Sequence, residues 1–230
     1  MSETQFAEMI SKIAHELRSP LTSIKGFSAT LVKRWDRFNE EQRLQFVETI
    51  LADAERMSRI ISEVLDLARL EAGRLELDPR DANVAAVANK AIAQVTQLPG
   101  GERVTVDIPD DVTAWADADR LERVIANLVE NAVKFSETGP VEVSARTDGS
   151  SMTLTVSDRG VGIEPDRLES VFAGPGPTGQ IAGPRGTGLG LHLSKRLAEA
   201  YGGTLSVEST LNEGSTFTLV LPTKARQGAA

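Results

Sequence analysis

The sequence has 230 residues, enough for two domains with their own cores, and its balance of 40% apolar and 25% charged residues is that of a soluble globular protein, not a disordered or membrane-spanning one. Its formal net charge of -8 argues against nucleic acid as a partner and against anionic lipid, since both are bound by Lys and Arg neutralising phosphates. With no cysteine there is no disulfide framework, no thiolate nucleophile and no Cys-held metal, which suits a reducing cytoplasm; neither a bilayer-crossing apolar run nor a secretory start is visible.

The first predicted element is a long helix. From Phe6 to Leu31 the residues Ile10, Ile13, Leu17, Leu21, Ile24, Ser28 and Leu31 step by threes and fours, the spacing of one helix face. Inside it, "KIAHELRSPLTSIKG" places Pro20 five residues after His15, where the ring removes one backbone hydrogen bond and crowds the preceding turn. A second stripe runs through Leu44, Val47, Leu51, Ala54, Met57, Ile61, Val64, Leu65 and Ala68, with "RWDRFNEEQ" as the turn. Two such helices make a hairpin that leaves much of each stripe wet, so a homodimer forming a four-helix bundle is expected.

At "RLEAGRLELDPRDA" the helical pattern stops, with Gly73 fitting a helix end and Pro79 a linker. Beyond it the β-rich runs "RVTVDI", "VEVSAR", "MTLTVSD", "GTLSVES" and "STFTLVL" are interleaved with helical stretches at 83–97, 117–135 and 190–201. The expected fold class is therefore α+β and multidomain: an N-terminal helical hairpin at 1–76, a linker at 77–82, an α/β sandwich at 83–223 with an antiparallel or mixed sheet under helices, and a tail at 224–230.

Three stretches of the second domain carry chemistry. In "LERVIANLVENAVKFS" a helical wheel puts Asn127, Glu130, Asn131 and Lys134 on one side and Leu121, Ile125, Leu128, Ala132 and Phe135 on the other. Neutral oxygen donors beside a lysine suit a hard cation together with phosphate. "LTVSDRGVGIEP" runs a strand into Asp158, which can accept a hydrogen bond from an exocyclic amine, and into Gly160 and Gly162, which let the backbone approach a flat ligand. "GPRGTGLGLHLSKRLAEAYGG" gathers Gly183, Gly186, Gly188 and Gly190 before a helix, a setting for an anion; no Gly-Lys-Ser/Thr follows, so this is not the Walker pattern.

In order, "NLVENAVKFS", "DRGVGI", "GTGLGL" and "GSTFTL" resemble the N, G1, G2 and G3 boxes of the ATP-binding GHKL domain shared by sensor histidine kinases, gyrase and the MutL proteins. "HELRSPLTSIKG" resembles the H box of the histidine kinases alone, and together the boxes span about Phe6 to Leu221. The resemblance implies a two-component phosphorelay enzyme. His15 would accept the γ-phosphoryl group of ATP, with Glu16 holding the attacking tautomer or taking the proton. Asn131, together with Asn127, would serve Mg²⁺; Asn127 and Lys134 would lie near the phosphates and Phe135 near the nucleotide. Asp158 would read the adenine amine, Gly160 and Gly162 would make room for the base, and Thr216 would lie near it. Gly186, Thr187, Gly188, Leu189 and Gly190 would flank the lid over the phosphates.

Ser19, four residues after the histidine, stands where relatives that dephosphorylate their partner often carry Thr or Asn. The implied partners are a second copy, the receiver domain of a response regulator, and an upstream sensor domain or sensory partner, at the cytoplasmic face of a membrane if the chain is excised from a membrane-bound sensor. His192, the other histidine, reads as structural. The lid departs from the family's pattern: Phe172 is followed by "AGPGPTGQIAGPRG", with no second aromatic and Arg185 as its cation. That leaves open a second reading, a kinase-like nucleotide-binding scaffold with weak or no turnover.

Overall fold

Helix-forming residues interrupted by one capped turn dictate the N-terminal half. The structure, a computed structural model, describes residues 3–96, 99–174 and 188–225. The chain divides into two units, Met1–Arg74 and Leu75–Ala230.

The first unit is the expected hairpin. α1 (Glu3–Arg34) runs unbroken through Pro20, and α2 (Glu40–Glu71) returns after a single 3-10 turn at Trp35–Arg37. Asn39 caps α2: its side chain accepts from the Gln42 amide at 2.8 Å while Gln42 accepts from the Asn39 amide at 3.1 Å, satisfying two donors at the new helix start. Arg43 donates to the Trp35 carbonyl through Nε and Nη2 and lies 4.5 Å from the Trp35 ring centre, and Phe46 stacks on Phe27 and meets Phe38 edge-on. α2 closes at Gly73, with the Gly73 amide on the Leu70 carbonyl and the Arg74 amide on that of Arg69.

The apolar stripes split in two. Ile13, Leu31, Ile60 and Leu67 are buried, whereas Ile10, Leu21, Leu44, Val47, Leu51, Ile61 and Leu65 remain exposed. One helix pressed on one neighbour covers only part of a wide apolar face. The contact inside the hairpin therefore runs through Ile60 and Leu67, which lie off the stripe read along α2.

The second unit contains β1 (Arg80–Asn83), α3 (Val84–Val95), β2 (Val104–Asp107), β3 (Thr113–Ala116), α4 (Ala118–Phe135), β4 (Val141–Thr147), β5 (Ser151–Asp158), α5 (Leu189–Ala200), β6 (Thr204–Thr210) and β7 (Gly214–Pro222). β2-β4-β5-β7-β6 form one mixed sheet, parallel between β2 and β4 and antiparallel elsewhere. Alternation sets its two faces. Val143, Ala145, Met152, Leu154, Val156, Phe217 and Leu219 point into the core with the buried sides of α4 and α5, while Ser144 pairs with Thr155 and Ser157 with Thr216 on the other face.

β1 and β3 form a separate antiparallel pair with Arg80 opposite Ala116. Residues 80–82, expected as linker, are thus the first three residues of β1. The sequences RDAN and TAWA lack the β-branched run that marks the equally short β2, VTVD.

The C-terminus of α4 is held by one side chain. Arg103 donates from Nη1 to the Ser136 hydroxyl (3.0 Å) and the Gly139 carbonyl (2.8 Å), and from Nη2 to the carbonyls of Val133 (3.2 Å) and Ser136 (2.7 Å). These are the carbonyls a helix end leaves without partners. Arg103→Ala is expected to destabilise the second unit by about 2–3 kcal/mol, because charged hydrogen bonds to part-buried carbonyls are lost together. Urea unfolding followed by circular dichroism checks this; an unchanged midpoint contradicts it.

Candidate active site

The H-box residues lie in the first unit. His15 is exposed on α1, and Ser19 is exposed one turn further on. Glu16 is drawn across the hairpin: its Oε2 accepts from Arg56 Nη2 of α2 at 2.8 Å, with the two side chains 20% and 23% exposed. Its carboxylate is committed to a cation of the opposite helix. Pro20 is buried, and because it has no amide proton the Glu16 carbonyl four residues back lacks its helical donor. Pro20 thus leaves one gap in the hydrogen-bond ladder beside His15 without ending α1.

α4 carries the amide-rich face. Asp117 caps it, accepting from the amides of Asp119 (3.1 Å) and Arg120 (3.2 Å). Leu121, Ile125, Leu128 and Ala132 are buried, whereas Asn127, Glu130, Asn131, Lys134 and Phe135 are half-buried. Lys134 places its ammonium 5.0 Å from the Phe135 ring centre. Asn131 Nδ2 donates to Asn127 Oδ1 at 3.3 Å.

Asp158 ends β5 on the helix-covered face and is 6% exposed. Its Oδ1 accepts from the Gly160 amide at 2.7 Å, and the Ser215 amide also bonds the carboxylate. Burial pushes the Asp158 carboxyl above the usual carboxylate range, with the two amide bonds pulling it the other way. The glycines after it are demanded by the chain's own packing. A Cβ at Gly160 would lie 2.1 Å from the Phe135 carbonyl oxygen, which also accepts from the Val161 amide at 3.1 Å, and one at Gly162 would lie 2.0 Å from the Thr210 carbonyl oxygen at φ +66. This stitches the loop after β5 to the end of α4.

The register corrects one expectation. Thr216 pairs opposite Ser157 and shares its face, and Ser215 pairs opposite Asp158. Thr216 therefore lies on the sheet face opposite to Asp158, and Ser215, which is buried, shares the Asp158 face. The apolar alternation Phe217, Leu219, Leu221 in "GSTFTLVL" already put Ser215 on the inner face, so the signal was in the sequence. Ser209 finishes the floor: its hydroxyl accepts from the Ile163 amide (2.8 Å) and donates to the Gly214 carbonyl (2.7 Å). Its one proton is spent, so at the 3.0 Å contact Ser215 donates to Ser209 and keeps acceptor lone pairs for a ligand.

Gly188 precedes α5 at φ +69, Leu189 is fully buried with only its backbone able to meet a ligand, and Gly190 packs on Asn127. Gly186 and Thr187 lie outside the described residues, as does the proline-rich stretch from Pro175 to Arg185. The root of that stretch is fastened: His192 Nδ1 donates to the Phe172 carbonyl at 2.7 Å, Phe172 meets Phe217 edge-on, and the Lys195 ammonium lies 5.1 Å from the Phe172 ring centre.

Residues 7–73 match the His Kinase A (phospho-acceptor) domain, and residues 116–225 match the histidine kinase-, DNA gyrase B- and HSP90-like ATPase domain. The phosphoacceptor match falls on the hairpin and the ATPase match on the sheet unit, in the order the boxes imply. The chain belongs to the sensor histidine kinases. Autoinducer 2 sensor kinase/phosphatase LuxQ of Vibrio vulnificus is 34% identical over 229 residues, covering 94% of this chain and 26% of LuxQ. The histidine kinase AdeS of Acinetobacter baumannii superposes with a TM-score of 0.71 at 22% identity, over 91% of this chain and 98% of AdeS, which supports the fold. Full-length ShkA in complex with AMPPNP gives 0.65 at 27% identity, over 94% of this chain and 45% of that one. This chain spans well under two thirds of the length of the curated relatives it matches.

In this chain the donor set fits Mg²⁺ delivered with a nucleotide. No group of three His, Cys, Asp or Glu among the described residues can hold a metal by itself. The α4 face offers carboxamide oxygens instead, and Mg²⁺ is commonly held by one or two protein oxygens plus substrate phosphates. Sequence reasoning missed Arg56, Arg103, Ser194, Ser209 and Ser215, each of which acts through a partner distant in sequence.

Proposed function

We propose that this chain transfers the γ-phosphoryl group of ATP to His15 and then to an aspartate of a response-regulator receiver domain, working as a homodimer through its hairpin. The observation that carries this reading is the pairing of an exposed histidine on a hairpin with a buried, amide-oriented carboxylate, Asp158, beside the amide face of α4. Asp158 and Ser215 offer acceptors to the exocyclic amine of adenine. Asn131 Oδ1 would hold Mg²⁺, which neutralises phosphate charge, and Lys134 adds a second cation near the phosphates.

In the transfer an imidazole nitrogen of His15 bonds to the γ-phosphorus as the β–γ bridging bond breaks to release ADP; the imidazole proton passes to Glu16 or solvent. Arg56 engages only Oε2 of Glu16, so its service as base falls to Oε1, or to Oε2 once the pair opens, and Arg56→Ala is the variant that releases both oxygens. Ser19 is the hydroxyl positioned for orienting water if the kinase also dephosphorylates its regulator. No helix among the described residues is long and apolar enough to cross a membrane. A cytoplasmic setting, and a sensor upstream that sets the activity, are part of the proposal.

The test is incubation with Mg²⁺ and γ-labelled ATP beside His15→Gln. Label that is lost in acid, kept in base and absent from the variant is the expected result. Nucleotide binding with no label on the wild type overturns the kinase reading in favour of a nucleotide-binding scaffold.

A further inference from the structure

Ser194 on α5 is 3% exposed and belongs to none of the boxes read from the sequence. It accepts a hydrogen bond from Asn127 Nδ2 at 3.0 Å, across from α5 to α4. Asn127 Oδ1 in turn accepts from Asn131 Nδ2 at 3.3 Å. Gly190, one turn before Ser194, lies against the same carboxamide: a Cβ there would sit 2.2 Å from Asn127 Oδ1 and 2.8 Å from its Cγ. The Asn127 side chain is thus held at both ends and along one flank.

A carboxamide is nearly symmetric in shape but not in charge, so a row of two needs something to fix its direction. In the structure the Ser194 hydroxyl is the acceptor of this contact, which turns the amide end of Asn127 toward α5. An acceptor at Ser194 fixes the Asn127 amide toward α5, and the Asn127 oxygen then fixes the Asn131 amide inward. Asn131 Oδ1 is left on the other side, with no hydrogen-bond partner among the described residues. A row running the opposite way would present an amide, which repels a cation.

We propose that Ser194 is the positioning residue for the divalent cation: it sets the polarity of the Ser194–Asn127–Asn131 relay so that Asn131 presents oxygen to the metal that accompanies the nucleotide. The inference rests on reading the α4 face as a Mg²⁺-nucleotide site. It makes Asn127 an orienting residue and not a direct ligand, unlike the shared metal role expected from the sequence.

Calorimetric titration of ADP, once with Mg²⁺ and once with EDTA, tests it on the wild type and Ser194→Ala. Orienting partners of metal ligands are worth about tenfold or more in metal affinity, so Ser194→Ala should lose about tenfold of the tightening that Mg²⁺ confers. Its affinity in EDTA should match the wild type, while the Asn127 amide left without its acceptor lowers the melting temperature by a few degrees. A merely structural role would weaken both titrations alike, and that result, or a full Mg²⁺ gain in the variant, overturns the proposal. Failure of wild-type protein to bind ADP under either condition overturns the nucleotide reading itself and this proposal with it.

Discussion

Asp158→Asn should bind ATP about a hundredfold more weakly than the wild type while folding at least as stably at pH 7. The Gly160 amide already fixes one carboxylate oxygen as an acceptor at 2.7 Å. In the variant the retained oxygen keeps that bond, so the outward atom becomes an amide nitrogen. It then points a donor at the amine donor of adenine, which leaves both buried groups unsatisfied. A purine with a carbonyl at that edge suffers no such clash, so affinity for GTP or inosine triphosphate should fall far less and can rise. Stability moves independently. Burial raises the Asp158 carboxyl above its unfolded value, so between the two values the native state holds the extra proton and the fold loses stability as pH rises through that window. The charge cost is fully present at neutral pH and absent in acid, whereas the variant carries none of it. The melting-temperature difference between Asn variant and wild type should therefore shrink as pH is lowered from neutrality toward the carboxylate range. Binding titrations with the three nucleotides, beside thermal melts across pH, check both halves; unchanged ATP affinity in the variant would remove Asp158 from the base pocket.

Why some of this was legible in sequence and some was not follows from the range of the interactions. α1, α2, α4 and α5 were readable because a 3.6-residue period persists over twelve or more residues in each. The five strands of the main sheet showed as alternation, but β1 and β3 did not, because RDAN and TAWA lack the β-branched run that marks β2 at the same length. The split of the hairpin stripes was hidden for a different reason. Ile60 and Leu67 lie one and two residues from Ile61 and Leu65, and only the partner helix decides which side of a broad apolar face is covered. At the site, Asp158 and the α4 amides were visible as local motifs, whereas Ser194, Ser209 and Arg56 matter through hydrogen bonds to residues far along the chain. Thr216 is the instructive case. The box spelled "GSTF" drew attention to Thr216, and the period of two along β7 puts its neighbour Ser215, not Thr216, on the face of Asp158.

The apolar surface left over on the hairpin leads to the second large effect. Leu44, Val47, Leu51, Ile61 and Leu65 remain 46–56% exposed and fall on α2 at intervals that keep them near one face, while Ile10 and Leu21 do the same on α1. A soluble chain rarely leaves a contiguous apolar stripe of this length uncovered, and a second copy supplies a matching surface by two-fold symmetry. Leu51 lies within that stripe, so Leu51→Glu places a charge on both sides of the dimer axis at once. Losing two part-buried leucines and desolvating two carboxylates costs several kcal/mol, which should raise the dimer dissociation constant about a thousandfold or more. Sedimentation equilibrium at micromolar concentration should then show the wild type at twice the chain mass and the variant at the chain mass. Leu211→Glu is the matched control, because Leu211 is 47% exposed in the second unit and belongs to no stripe; it should stay dimeric. A wild-type monomer, or a Leu51→Glu dimer, would mean that the stripe is covered by something other than a second copy. If the variant is monomeric, its phosphorylation separates two routes. Label retained on His15 means that a subunit phosphorylates itself, and label lost means that the histidine is served by, or organised by, its twin.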